Sequence, residues 1–227
     1  MHTQEPLTIS LESSPLECWG DESTASALRA PAVRLHLTGI SLRETAAVLE
    51  QFGVTRSYQA VFQWIHRVAE QAPDPSRARL RRVAVDETVV TIGTEQQWLY
   101  AAIDIETKLM LGVRIFDRRG TDPAAAFLGQ LAEKHDLSKT TFLVDGMSYL
   151  TALARCDLRG HLDYVDQNLI EKWFQTLAMW IDQFHQTWMG GRASAQRWLV
   201  AFVHYYTTQR LNQVLNNRTP AEQVMNQ

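Results

Sequence analysis

Three apolar segments rich in β-branched residues follow one another after residue 81, separated by short polar turns. They run from Arg82 to Ile92, from Gln97 to Ile103 and from Leu109 to Phe116. Because connections this short join antiparallel neighbours, the pattern predicts a three-stranded antiparallel meander. A helix beginning at Thr121, which is expected to cap it, runs to about His135 and precedes a fourth apolar segment, Thr141–Val144. A crossover helix of this kind joins parallel strands, so the sequence predicts a mixed α/β sheet.

The segment before these strands has the periodicity of helices. A first helix is predicted over residues 26–38, and a capping box, Ser41 to Glu44, starts a second one that runs to about Gln51. Gly53 allows a tight turn, and a third helix follows, with an apolar stripe formed by Val61, Trp64, Ile65 and Val68. Two helices joined by a short glycine turn are typical of a helix-turn-helix that binds DNA. A three-helix bundle that binds nothing is the alternative.

Charge is distributed unevenly and favours the DNA-binding alternative. Residues 23–82 carry nine arginines against four acids, although the whole chain has a net charge of −3. A basic island of this kind attracts phosphates locally. The side chains outside the apolar stripe are of types that bond phosphates and base edges. The predicted DNA contacts are Arg43, Arg56, Tyr58, Gln59, Gln63 and Arg67.

Composition excludes several classes of protein. With 45% hydrophobic and 21% charged residues, the chain is neither collagen-like nor wholly disordered. Two cysteines cannot build a disulfide framework or a cysteine zinc site. No signal sequence or membrane-spanning apolar run is recognised, so a cytoplasmic, nucleoid-associated protein without membrane contact is expected. The predicted division is an acidic mobile tail (1–22), a helix-turn-helix domain (23–72), a basic linker (73–82) and a catalytic α/β domain (83–227).

Three carboxylates are candidates for chemistry. Asp86 interrupts an apolar strand, where a charge is costly unless it is paired or binds a cation. Asp145 follows the fourth strand, where open α/β sheets place ligands. Glu171 lies on a long amphipathic helix predicted over about 168–188, between shorter helices near 148–155 and 193–210. Oxygen ligands in this number suit Mg²⁺ or Mn²⁺.

The segments around these acids, Val85–Thr88, Leu143–Gly146 and Asn168–Phe174, resemble those of the DDE transposases of prokaryotic insertion sequences. The insertion-sequence-six family, especially its archaeal members, is the most similar. The resemblance runs from about residue 27 to the C-terminus and includes several motifs in the same order, among them Trp98–Asp104 and Arg118–Asp122.

The resemblance implies an RNase H-like, five-stranded mixed sheet flanked by helices, behind a helix-turn-helix. It implies that Asp86, Asp145 and Glu171 are the catalytic residues and hold Mg²⁺, for which Mn²⁺ may substitute, with Lys172 beside them contacting DNA. Two metal ions would activate a water and then a DNA 3′-OH for in-line attack. The expected partners are double-stranded DNA, both element ends and target, and further copies of the chain in a homodimer or higher assembly.

Some positions depart from the family pattern. Relatives often carry Lys or Arg seven residues after the glutamate, and Ala178 stands there in this chain, with Trp180 and Gln183 at other positions that are usually basic. A catalytically weakened or inactive copy that only binds DNA is therefore an alternative. A helix-turn-helix regulator with a small-molecule sensing domain is a third hypothesis, but it gives no reason for the three acids.

Overall fold

The computed structural model of the chain describes residues 24–72, 80–163, 170–175 and 190–226. Within them lies one five-stranded sheet. Its strands are β1 (Arg82–Ile92), β2 (Glu95–Asp104), β3 (Met110–Phe116), β4 (Thr141–Val144) and β5 (Arg159–Leu162). The first four lie within a residue or two of the predicted segments.

The strand order is β3-β2-β1-β4-β5, which places β1 at the centre of the sheet. Strands β1, β2 and β3 pair antiparallel, whereas β4 pairs parallel to β1 and β5 parallel to β4. The predicted meander is therefore confirmed. The crossover helix was expected to pair β4 with β3, but β4 pairs parallel with β1 instead, because β1 occupies the centre of the sheet. This order and these directions are those of an RNase H-like sheet, so the predicted five-stranded mixed sheet flanked by helices is confirmed.

Seven α-helices have bounds within the described residues. Three precede the sheet and four follow or interrupt its strands. They are α1 (Ser26–Leu37), α2 (Leu42–Gln51), α3 (Tyr58–Gln71), α4 (Thr121–Lys134), α5 (Met147–Arg155), α6 (Arg192–Thr208) and α7 (Pro220–Met225). Residues 170–175 are also helical. None of the described helices is both long and apolar enough to cross a membrane.

The sheet is covered on both faces, which is why its strands are apolar on both sides. Helices α4 and α5 pack on one face, where Phe127, Leu131 and Leu153 meet Val83 and Val85 of β1. Helix α6 packs against β3 on the other face, in the same core as Ala84. The result is a three-layer arrangement with the central strand buried between helices.

The N-terminal helices belong to the core on the α6 face. The predicted stripe of α3 is buried as expected, with Trp64 and Ile65 fully inaccessible, and α1 and α3 both contact α6. The predicted capping box of α2 forms, since the Glu44 amide donates to Ser41 Oγ and the Ser41 amide to the Glu44 carboxylate. His66, predicted to lie outside the stripe, is buried because α6 covers that side of α3 as well.

One buried hydrogen bond joins helix α1 to helix α6, which lie far apart in the sequence. Trp198 of α6 donates its indole N–H to His36 Nε2 of α1 at 3.0 Å, while His36 Nδ1 lies 2.8 Å from the carbonyl oxygen of Ile40. A neutral imidazole protonated at Nδ1 satisfies both contacts. Burial lowers the pKa of His36 to about 4, which is consistent with that neutral form.

Two details differ from the sequence prediction. Thr121 is the first helical residue of α4 rather than its cap; Gly120 occupies the cap position with a φ of 120° and offers no capping side chain. The fifth strand was not located from the sequence, since Arg159–Leu162 is short and has no apolar run. The tail (1–22), most of the linker and most of the long helix predicted over 168–188 lie outside the described residues.

Gly160 and Gly129 provide a matched test of this packing. A Cβ at Gly160 of β5 would lie 2.5 Å from Leu153 Cδ1 and 2.7 Å from the Phe142 carbonyl oxygen, whereas a Cβ at Gly129 of α4 meets nothing within 4 Å. We expect Gly160→Ala to lower the free energy of unfolding by about 1–3 kcal/mol through overpacking. Gly129→Ala should raise it by about 0.5–1 kcal/mol because alanine favours helix. Urea unfolding measures both, and equal effects would contradict the packing.

Candidate active site

Asp86 and Asp145 stand at the same edge of the sheet. The register of β1 and β4 pairs Ala84 with Leu143, and each aspartate lies two residues beyond that pair. Because the two strands are parallel, both aspartates reach the carboxyl edge together. Asp86 is half-buried, and the amide of Glu87 donates to its Oδ1 at 2.8 Å.

Glu171 approaches the same site from the α6 face. It lies in the helical residues 170–175, whose Ile170, Trp173 and Phe174 are buried in the core that also contains Ala84. These apolar anchors fix the short segment on the sheet, while Glu171 itself is exposed. Side chains alternate along β1, so Asp86 points to the same face as Ala84 and therefore toward Glu171.

The pKa of Asp86 indicates that the charges of the other two acids act on it, and therefore that the three acids converge. Burial raises the pKa of Asp86 to about 7; the Glu87 amide opposes this shift, and the negative charges of Asp145, Glu87 and Glu171 add to it. Carboxylates that repel one another in a half-buried place favour a proton or a cation between them. The structure thus brings together all three acids that the sequence singled out.

A fourth carboxylate, Glu87, belongs to the same cluster and was missed as a site residue. It faces the α5 side of the sheet, where the Tyr149 hydroxyl donates a hydrogen bond to its carboxylate. Burial raises the pKa of Glu87; the Tyr149 hydrogen bond opposes this, Asp145 adds to it and Arg119 opposes it again. The signal in the sequence was a second acid directly after Asp86 in a strand whose remaining residues are mostly apolar.

The donor set fits a hard divalent cation. Carboxylate oxygens are the ligands that Mg²⁺ and Mn²⁺ prefer, and a cation would compensate the burial and, to a smaller extent, the repulsion that raise the pKa of Asp86. Among the described residues, no three acidic, histidine or cysteine side chains already stand in the arrangement of an assembled metal site. The acids are close enough to interact electrostatically, but they do not stand in the arrangement of metal ligands.

The predicted DNA contacts on the N-terminal helices fall into two groups. Arg43, Tyr58, Gln59 and Gln63 are exposed, and the Arg43 guanidinium lies 5.3 Å from the centroid of the Tyr58 ring. Arg56 and Arg67 are partly buried, and Arg56 donates to the hydroxyl of Thr24 at 2.6 Å. Lys172 is exposed beside Glu171, far along the chain from the other six.

Comparisons with known proteins agree with the geometry. A transposase family model, DDE_Tnp_IS240, described as a DDE domain, matches residues 80–178. Residues 80–178 are thus similar to the DDE domain that this model describes. All three converging acids lie inside the matched range.

A relative and two solved structures match more of the chain than the family model does. An uncharacterised protein of Methanocaldococcus jannaschii, MJ0017, is 27% identical over 176 residues, which are 76% of this chain and 81% of that protein. The cryo-EM structure of a simian T-cell lymphotropic virus intasome in complex with PP2A regulatory subunit B56 gamma matches 87% of this chain and 74% of its own, at 12% identity and a TM-score of 0.45. The HTLV-2 integrase catalytic core domain in complex with magnesium matches 65% of this chain and 99% of its own, at 10% identity and a TM-score of 0.42.

The raised pKa of Asp86 predicts a pH-dependent stability in the absence of metal. The folded state keeps the proton of Asp86 up to about pH 7, whereas the unfolded chain releases it near pH 3.8. The free energy of unfolding should therefore fall as the pH rises through this window. We expect Asp86→Asn to reduce that fall, to which the raised pKa of Glu87 also contributes, and to be more stable than wild type at pH 8 by about 1–3 kcal/mol.

Urea unfolding in EDTA between pH 5 and pH 8 measures this difference. Glu133→Gln, which removes an exposed carboxylate of α4, is the control and should keep the wild-type pH dependence. Parallel curves for wild type and Asp86→Asn would contradict the assignment of the buried proton to Asp86.

Proposed function

We propose that this protein is a transposase that binds the terminal inverted repeats of its insertion sequence, nicks the element ends and joins the resulting 3′-OH to target DNA. The observation that carries the proposal is the convergence of Asp86, Asp145 and Glu171 at one edge of an RNase H-like sheet, within the residues that match a DDE domain. A small-molecule sensing domain would have no need for this cluster of acids.

In this proposal, Asp86, Asp145 and Glu171 hold Mg²⁺ or Mn²⁺. When bound, the metal would supply activation of the attacking oxygen and stabilisation of the negative charge on the phosphate under attack and on the leaving 3′-oxygen. The chain contributes the positions of its ligands. The Glu87 amide holds Asp86 Oδ1, the β1–β4 register sets Asp145 level with it, and the buried Ile170, Trp173 and Phe174 fix the segment that carries Glu171.

The N-terminal helices are proposed to recognise the element ends. Arg43 of α2 and Tyr58 at the start of α3 form an exposed cation–π pair, and Gln59 and Gln63 follow Tyr58 on α3. Glutamine and arginine bond base edges in the major groove, and arginine also bonds phosphates. Arg56, Arg67 and Lys172 complete the proposed DNA contacts. Because two element ends must be joined in one reaction, a homodimer or a larger assembly is the proposed active form.

A catalytically weakened copy that only binds DNA is the second candidate. It is favoured by Ala178, Trp180 and Gln183, which lie outside the described residues and stand where relatives usually carry basic side chains. In this alternative the acids remain, but the contacts that align the DNA strand over them are reduced.

Nicking of an element end tests the proposed chemistry. The substrate is a labelled duplex of the inverted repeat that borders the reading frame, incubated with the full chain and Mg²⁺, Mn²⁺ or EDTA. We expect a metal-dependent product with a 3′-OH, and a rate at least about 100-fold lower for Asp145→Asn because a metal ligand is lost. Glu133→Gln should nick as wild type does. Tight binding without cleavage under either metal would favour the DNA-binding copy.

The variant Ala178→Lys tests whether a lost basic contact limits the reaction. If it does, restoring the cation should raise the strand-transfer rate by about tenfold, the effect of one charge-assisted contact to a phosphate. Ala178→Gln is the matched control, since it adds length without charge. A rate for Ala178→Lys equal to or below that of wild type would show that the missing lysine does not limit this protein.

A further inference from the structure

The loop between β3 and α4 brings two arginines to the edge of the sheet that carries the acids. Strand β3 ends at Phe116, which pairs with Trp98 of β2, and Trp98 pairs with Val89 of β1. Val89 is three residues beyond Asp86. Arg118 and Arg119, which follow Phe116 after the exposed Asp117, therefore lie beside the carboxyl end of β1.

Arg119 is held in place while remaining exposed. Its guanidinium carbon lies 4.9 Å from the centroid of the Trp98 ring. The loop is anchored one residue later, where the Gly120 amide donates to the Tyr100 hydroxyl at 3.1 Å. Tyr100 is 1% exposed and packs edge-on against Phe116 and Tyr149, with ring centroids 5.3 and 6.1 Å away. An arginine stacked on a ring above such an anchor is pre-organised for a ligand.

The charge of Arg119 is not taken up by an ion pair among the described residues. Arg118 lies 3.7 Å from Asp122, and Arg155 lies 2.9 Å from the same carboxylate. Among the described carboxylates, none forms an ion pair with Arg119. The exposed guanidinium of Arg119 is therefore available to an anionic ligand.

We propose that Arg119 binds a backbone phosphate of the DNA strand that crosses this edge, next to the phosphate to be cut. This inference rests on the proposed function and deepens it. Four acids converge at the edge and repel a polyanion, so a fixed cation beside them is needed to hold the strand. Arg119 lies over the face of β1 toward which Glu87 points, opposite the face of Asp86 and Glu171. It thus supplies a positive charge from the side of the sheet opposite the helical residues 170–175, which carry Glu171.

Binding measurements separate this contact from catalysis. The full chain is titrated in EDTA against a fluorescein-labelled duplex of the bordering inverted repeat, over a series of salt concentrations. We expect Arg119→Gln to weaken binding about tenfold and to reduce the salt slope by about one. Arg119→Lys should lose part of the affinity, since it keeps the charge without the planar stack. Arg118→Gln, which removes the same charge one residue away, should stay within about twofold of wild type.

A scan with single methylphosphonates, which neutralise one phosphate at a time, locates the contact. One position near the nick should weaken binding of wild type but leave Arg119→Gln unaffected, because the two changes remove the same interaction. Additive losses at every position would overturn the proposal, as would equal losses for Arg118→Gln and Arg119→Gln.

The proposed function and this inference fail in different ways. A wild-type protein that binds the duplex but never nicks it contradicts the proposed chemistry, while the Arg119 comparison is still measured in EDTA. A wild-type protein that nicks the duplex, with Arg119→Gln binding as tightly, overturns the inference alone. A protein that does not bind the duplex at all overturns both. Matching urea unfolding curves for wild type and Arg119→Gln show that the variant is folded.

Discussion

A half-buried carboxylate on the central strand is the constraint on which the rest of the site depends. Asp86 has a pKa near 7 because it is withdrawn from water and faces other acids, and such a group is tolerated only where a proton, a hydrogen bond or a cation compensates it. The Glu87 amide supplies one hydrogen bond. The remaining compensation has to come from what binds between the acids, so the same feature that weakens the metal-free fold prepares the site for a divalent cation.

The two faces of β1 carry different acidic residues with different neighbours. Asp86 points to the face of α6, where Glu171 completes the proposed metal ligands. Glu87 points to the face of α4 and α5, where Tyr149 fixes it and Arg119 lies within reach of its charge. Because alternate residues of one strand serve opposite faces, two adjacent acids connect the proposed chemistry on one side to the proposed strand-holding cation on the other.

The elements that depend on local sequence patterns could be predicted from the sequence, whereas those that depend on long-range contacts could not. Strands β1 to β4 were located because their apolar runs and short connections leave few alternatives. The pairing of β4 with β1, which sets Asp145 level with Asp86, joins distant segments and was not predicted. Strand β5 was not located, since three of its four residues are exposed and its position is defined by the packing of Gly160 on α5 and β4. The Glu87–Tyr149 hydrogen bond joins residues 62 positions apart. His66 is buried by α6, far along the chain, and no periodicity within α3 indicates this.

Coupling between the N-terminal helices and the sheet follows from the same long-range packing. Helix α3 lies on α6, α6 lies on β3, and the Trp198–His36 hydrogen bond ties α1 to α6 in the buried core. Charging His36 would place an N–H donor against the indole N–H, so the bond requires the neutral ring that its lowered pKa provides. The exposed Arg43–Tyr58 pair is therefore carried on two helices, α2 and α3, that share their core with Ala84, two residues before Asp86. In the proposed function, DNA bound by that pair would be held at a fixed position relative to the acids, because the packing between them is continuous.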